Sequence, residues 1–535
     1  MTQTSSGDAN RNGCRADAAR PLQEVAVHLH GRDQVAIARC SLTPGTLITL
    51  DGQGGEGRIL VRQTVPAGHK LALADIASGE PVRRYGQIIG FATREIRAGE
   101  HVHMHNLGVQ GFDRCWAFGT KVRPVAPVPA AESRTFLGYA RADGRVGTRN
   151  YVAVIATVNC AAHVCREIAR YFTPERLAPY VNVDGVVAVI HSGGCGGQSQ
   201  ELFQRTLAGV ASHPNVGAAL LVGLGCETNQ LCDLVRRPLP GGGCLAARPD
   251  LAPTLLIQEA GGIGRSVRAG ITQVEQSLLP IANRSRRSRQ SISELTVALQ
   301  CGGSDGWSGV TANPLVGLVA DEIVCQGGTV VLAETPEVHG AEHLLTSRAA
   351  NREVGEQLLS LSRWWEDYLR KFGVEFDSNA GPGNRAGGIT TIYEKALGAI
   401  AKGGHTPLNA VYHYAEPVTS RGLVFMDSPG YDPVAVTGQV AAGCNLVLFT
   451  TGRGSVYGCR LAPTLKICSN SATFAQMSED MDVNAGRALE GVPLDSLAAE
   501  LLDLVVEVAS GRPTKSEAQN VGEAEFCPWE QGGLT

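Results

Sequence analysis

Imidazoles are concentrated in the first fifth of this chain. Of 13 histidines in 535 residues, six fall before residue 106: His28, His30, His69, His101, His103 and His105. The last three alternate in HVHMHN, and on a strand alternation places every second side chain on the same face. Such a face, with further histidines nearby, offers donors that suit iron, manganese, zinc or nickel. The pattern also fits a solvated polar strand face, and no H-E-x-x-H or paired-cysteine spacing singles out a metal.

Three other groups of residues carry chemical potential. Cys160, Cys195, Cys226 and Cys301 each close an apolar run, in TVNC, SGGC, GLGC and LQC. Strand ends in a parallel sheet converge, so these thiols could meet as iron ligands or reactive groups. The alternative is four small buried residues, since free cysteine is often buried, and the spacing matches no ferredoxin-like run. Arg145, Thr148, Arg149 and Asn150 follow the turn Asp143-Gly144 and offer guanidinium, hydroxyl and amide groups. They suit a substrate carboxylate, or equally a domain-linking hairpin with structural salt bridges. Asp305, Asn313, Glu334, Glu337 and Asn384 lie in polar loops as acid, base or ligand candidates, each of a type that also serves structure. The Gly-rich GRGSVYG lacks the Lys-Ser/Thr of a nucleotide loop, so a nucleotide site is not expected there.

The elements that must position these residues change character along the chain. Residues 1–22 read as a disordered leader. From 23 to 112, EVAVHLH, QVAIARC, RILVRQTV and IIGFATREI are short strands split by turn residues such as Pro44-Gly45 and Pro66-Ala67-Gly68, a small β module. The Pro- and Ala-rich stretch within 113–135 reads as a linker. Beyond it, apolar runs ending in Gly- and Cys-containing loops alternate with helical segments. This predicts a large α/β region with mainly parallel sheets, whose ligand loops lie at the carboxyl ends of the strands. It divides into a first α/β domain at 136–282 and a second at 291–535, joined by the basic run NRSRRSRQS, read as a solvated connection. Apolar residues at 494, 497, 501, 505 and 508, with Gly511 beyond, predict an amphipathic core helix.

Composition narrows the function classes. Hydrophobic residues at 43% and charged residues at 18% describe a globular chain. A net charge of -4 and a pI of about 6.4 argue against nucleic acid or an anionic membrane as partner. No apolar run approaches the roughly 18 residues of a membrane helix. The first twenty residues lack the apolar centre of a secretory signal, so a cytoplasmic location with reduced thiols is expected. Glycine, at 65 residues, implies many tight turns or close backbone approaches.

Several long motifs resemble the altronate/galactarate dehydratase family. HGRDQVAIA, GHKLALADI and RYGQIIGFATREIRAGEHVHMHN are similar to its N-terminal SAF-type module. There His30, Asp33, His69, Lys70, His103, His105 and Asn106 match the recurrent polar positions; Gln34 replaces the usual Asn but keeps the amide. GYARADGRVGTRNYVAVI, GLVFMDSPGYDPVAVTGQVAAG and FTTGRGSVYG extend the resemblance, which runs from about residue 24 to 512. It implies a hydro-lyase converting an aldonate or aldarate to a 2-keto-3-deoxy acid. In relatives the two regions can be separate chains, one of them a sulfolactate lyase, so substrate identity stays open.

Removing a proton α to a carboxylate calls for a divalent cation, Fe2+ first and Mn2+ second, to stabilise the developing charge. On this reading His30, His69, His103 and His105 are the metal ligands. Lys70, or a histidine, is the base; Asp305 and Glu334 handle protons or metal; Arg145, Thr148, Arg149, Asn150 and Asn384 hold the substrate. Two rivals stay open, a dehydratase with an iron–sulfur cluster on the four cysteines and a non-catalytic sugar-acid-binding protein. A small sugar acid is the expected partner, and assembly into a homo-oligomer is left open.

Overall fold

In the computed structural model, the residues described are 19–50, 57–112, 114, 116–129, 131–196, 200–239 and 242–531. The expected leader lies outside them up to residue 18. Arg20–Pro21 forms a strand that pairs with Leu47–Leu50, so these two residues of the expected leader are part of the fold.

The N-terminal module is built from short strands, as expected. Ala26–Val27, Val35–Ala38, Lys70–Ala72 and His101–Val102 make one antiparallel sheet. The middle domain carries a four-stranded parallel sheet in the order Gly185–Val189, Tyr151–Ala156, Val216–Gly223, Thr254–Leu256. The C-terminal domain is organised on a seven-stranded parallel sheet. Its central strand Thr296–Cys301 lies between Thr329–Leu332 and Leu446–Thr451, with Gly422–Met426 next to Thr329–Leu332.

The strands of the large sheet read as continuous apolar runs because both faces are covered. On one face Leu299, Leu332 and Phe425 share a core with Val82, Ile89 and Val102 of the small module. On the other, Val331, Val447 and Phe449 pack with Phe203, Leu207 and Leu221 of the middle domain. Period-two alternation along each strand thus clamps the three parts together. The predicted C-terminal helix is Leu494–Ala509, burying Leu497, Leu501, Val505 and Val508 against the first of these cores, and Gly511 follows with φ +113°.

The basic run 283–291 is not a plain solvated connection. Arg287–Ser291 forms a strand antiparallel to Thr135–Ala140, which itself pairs with Val146–Gly147. The Arg287 guanidinium covers the Tyr139 ring at 4.6 Å and donates to the Thr148 carbonyl at 2.9 Å. Aromatic stacking and carbonyl acceptors give this arginine a structural place that a charge count does not reveal.

Candidate functional site

The small module meets the C-terminal domain through glycines. A Cβ added at Gly306 would come to 2.1 Å from the Gly68 carbonyl, and one at Gly388 to 2.3 Å. Only backbone this bare lets Gly68-His69-Lys70 lie against the loops after Cys301 and Ala386. Beneath that contact Lys70 donates to the Gly388 carbonyl at 2.7 Å and to Glu394 at 2.8 Å. Arg84 donates to the other Glu394 oxygen at 2.6 Å and to the Gly306 carbonyl at 2.7 Å. All three side chains are buried. Burial alone would push the Glu394 carboxyl up, but the two cations hold it down at about 2. For Lys70 burial wins, aided by the Arg84 charge, and its pKa is lowered.

Strand register explains the histidine cluster above this clamp. Lys70 pairs with Val102 and Leu71 with His101, so one step back His69 faces His103. His69, His101 and His103 therefore share a face, while Lys70 points to the other. His69 Nδ1 lies 3.0 Å from His101 Nε2, and the His101 and His103 rings stack with centroids 5.3 Å apart. Ligating atoms of these three residues lie within 4.8 Å of one another. His69 Nε2 reaches the Ala386 carbonyl at 3.3 Å, and His103 Nδ1 reaches Thr390 Oγ1 at 3.0 Å. Burial, reinforced by neighbouring imidazoles and Lys70, lowers His101 to about 3 and His103 to about 4. All three rings are thus neutral, with lone pairs available, at neutral pH.

Of the expected ligands His30, His69, His103 and His105, the cluster includes His69 and His103, with His101 as the third. Sequence alternation had marked His101; its cross-strand partner Leu71 gave no sign of the role. The strand is only His101–Val102, after which Asn106 Oδ1 accepts from the His103 amide and turns the chain. His105 remains exposed beside His101, rings 5.4 Å apart. His30 is not in the cluster: its Nδ1 accepts from the Arg32 amide in a turn, and its ring lies against Gly86.

A second cluster fills the carboxyl ends of the large sheet. Cys301, Glu334 and Glu337 bring ligating atoms within 4.8 Å of one another, all buried. Lys402 Nζ donates to Cys301 Sγ at 2.9 Å, and Lys395 donates to Glu337 at 2.7 Å and to Asn379. Glu334 adopts φ +71°, rare for a residue with a side chain, and neither of its carboxylate oxygens has a hydrogen-bond partner. Burial and the neighbouring Glu337 raise its pKa well above the ordinary carboxylate value, which favours the protonated form. Asp432 is pushed to about 7 by burial and Glu337. Sequence had marked Cys301, Glu334 and Glu337. Lys395, Lys402 and Asp432 escaped notice because a lone Lys or Asp in a helical stretch is ordinarily solvated.

Other expected site residues are engaged in structure. Asp305 Oδ1 accepts from the Trp307 and Ser308 amides and the Ser308 and Ser469 hydroxyls at 2.8–3.1 Å. Asn384 donates to the Ser304 carbonyl at 2.8 Å. Arg145 pairs with Asp143 at 2.7 Å inside its own hairpin and donates to the Ser212 carbonyl. Arg149 forks onto Glu517 at 2.7 and 2.8 Å and donates to the Val508 carbonyl at 2.8 Å. Thr148 donates to the Asn445 carbonyl at 2.7 Å, and Asn150 to the Asn182 carbonyl at 2.6 Å. These four residues precede Tyr151–Ala156 and so lie at the amino end of the middle sheet, opposite its ligand loops. Their contacts are those of the hairpin reading. Cys160, Cys195 and Cys226 are exposed at the carboxyl ends of the middle sheet, apart from the buried Cys301.

A SAF-type β module clamped onto a parallel-sheet body, with histidines at the contact and an acid–lysine cluster at the strand tips, is the architecture of an enzyme. Family models match all three parts: the altronate/galactarate dehydratase SAF domain at 24–110, the D-galactarate dehydratase/altronate hydrolase second domain at 138–282, and the D-galactarate/altronate dehydratase C-terminal domain at 292–534. The chain is 36% identical to the altronate dehydratase of Escherichia coli (strain K12), over 93% of this chain and 97% of that one. It is 36% identical to the galactarate dehydratase (L-threo-forming) of the same organism, over 84% and 86%. It is also 33% identical to the (2R)-sulfolactate sulfo-lyase subunit beta of Chromohalobacter salexigens, over 74% and 97%. The chain belongs to the altronate/galactarate dehydratase family and is a hydro-lyase. Among the described residues, no helix is long and apolar enough to cross a membrane.

Proposed function

We propose that this hydro-lyase dehydrates a sugar acid of the altronate or galactarate type to a 2-keto-3-deoxy acid, with a divalent cation, Fe2+ or Mn2+, held by His69, His101 and His103. The observation that carries the reading is the histidine cluster at the contact between the module and the main body, in a chain aligned over almost its whole length with altronate dehydratase. The residues fit the ion. Three neutral nitrogens converge within 4.8 Å, and Ala386 and Thr390 fix two of the rings through their other nitrogens. The Cys301–Glu334–Glu337 cluster fits less well, because Lys402 and Lys395 already occupy Cys301 Sγ and one Glu337 oxygen.

Such an ion would supply the electrostatic stabilisation that an α-proton's departure demands. The chain's own residues would do the rest. The Lys70–Glu394–Arg84 clamp holds the imidazoles against the main body, and its ammonium is committed to that task rather than to proton removal. His105, exposed with its ring 5.4 Å from His101, would accept the proton. Glu334, whose burial and neighbour Glu337 favour the protonated form, would hand a proton to the leaving hydroxyl.

The test is an anaerobic assay for 2-keto-3-deoxy product from altronate, galactarate and related acids with added ferrous iron. Product formation that chelation abolishes and iron restores supports the proposal. Full turnover by the metal-free protein would remove the ion, and no turnover of any sugar acid would remove the dehydration.

A further inference from the structure

The middle domain has a set of thiols that the reaction above does not use. Cys160, Cys195 and Cys226 follow the three adjacent strands Tyr151–Ala156, Gly185–Val189 and Val216–Gly223, whose carboxyl ends are aligned by the pairs Ile155–Val189 and Ala156–Val222. Their loops are tied to one another. The Asn159 amide donates to the Gly193 carbonyl at 2.8 Å, and Asn159 Nδ2 donates to the His191 carbonyl at 2.9 Å. The Thr228 amide and hydroxyl donate to the Cys195 carbonyl at 2.9 and 2.5 Å. Glu227 braces the third loop, accepting from Thr157 Oγ1 at 2.8 Å and from the Gly225 amide at 2.7 Å.

All three thiols are exposed, and Cys160 and Cys226 both lie close enough to Cys195 to perturb its thiol. Nearby, the buried Asn229 Oδ1 has no partner. Three soft donors gathered at one sheet edge select thiophilic metals over hard cations. Among the described residues, the clusters tight enough for one ion are the histidine triad and the Cys301 group, and these thiols are not one of them. Cysteine thiolates are the ligands that hold iron–sulfur centres.

We infer that Cys160, Cys195 and Cys226 ligate an iron–sulfur cluster on the middle domain, separate from the histidine site and from Cys301. Each thiol gives up its proton on binding iron, and with three protein ligands one corner of a cuboidal cluster stays open to solvent. This site goes beyond the dehydration reading and stands or falls without it, because its readout is the cluster itself.

The test uses the full chain, prepared without oxygen and reconstituted with ferric iron, a thiol reductant and sulfide, so that the mixed ferric and ferrous iron of the cluster is supplied. Expected are retained iron with acid-labile sulfide and a visible thiolate-to-iron absorption band. The variants C160S, C195S and C226S should lose sulfide and colour, while C301S keeps both. In the unaltered chain, peptide mapping after alkylation should show these three thiols protected only after reconstitution, which guards against a misfolded variant. Failure of the unaltered chain to retain sulfide, retention of zinc alone, or equal alkylation of the three thiols before and after reconstitution would each overturn the cluster.

Discussion

The Lys70 ammonium, carried by the small β module, lies 2.8 Å from the Glu394 carboxylate of the C-terminal domain, and neither side chain meets solvent. Residues 324 positions apart thus anchor one edge of the histidine cluster to the other half of the molecule. Removing one member leaves the other charge buried and unpaired, which typically costs about 3–5 kcal/mol. E394Q should lower the unfolding free energy measured in urea by that order and weaken cation binding at the histidines. Unchanged midpoint and binding would mean that the module docks by its apolar core alone.

The same carboxylate sets an acid limit. Glu394 is held at about 2 against an ordinary 4.5, so the unfolded chain binds the proton more readily. Its stabilisation is complete above about 4.5 and is lost as pH falls through about 2. Urea titrations of the unaltered chain between those limits should show falling stability, and E394Q should lack that component.

Thr390 touches the proposed cation site only through His103. Partners of this kind typically alter metal affinity about 10- to 100-fold. T390V should weaken Fe2+ or Mn2+ binding in equilibrium dialysis by that factor, while T390S restores it. H101A should abolish binding, whereas H30A should leave it intact; loss in H30A would reassign the site.

Glu334 combines a left-handed backbone with two unpartnered carboxylate oxygens. E334Q preserves the shape of the side chain but removes the transferable proton. Turnover should fall by about 10²- to 10⁴-fold, with the thermal midpoint unchanged or raised. Retained turnover would exclude Glu334 as the acid.

Arg149 satisfies its guanidinium on Glu517 and three carbonyls. R149K, which cannot form the fork, should destabilise the chain while leaving KM for the sugar acid unchanged. A raised KM at full stability would return this residue to substrate binding.

Residue order alone carried much of this molecule. Period-two apolar runs and turn residues specify the β module, continuous apolar strands specify buried parallel sheets, and the long motifs identify the family, because all three are local signals or strings read in sequence. HVHMHN likewise announced its imidazoles. What sequence could not supply was which groups meet. His101 joins His69 and His103, and His30 does not, because cross-strand register decides neighbours. Arg145, Thr148, Arg149 and Asn150 have the groups that bind a carboxylate, yet their place at the amino end of Tyr151–Ala156 spends them on backbone carbonyls and Glu517. Lys70 looks like a free base until Glu394 arrives from the far half of the chain. Burial and pairing are properties of juxtaposition, so only the tertiary structure could settle them.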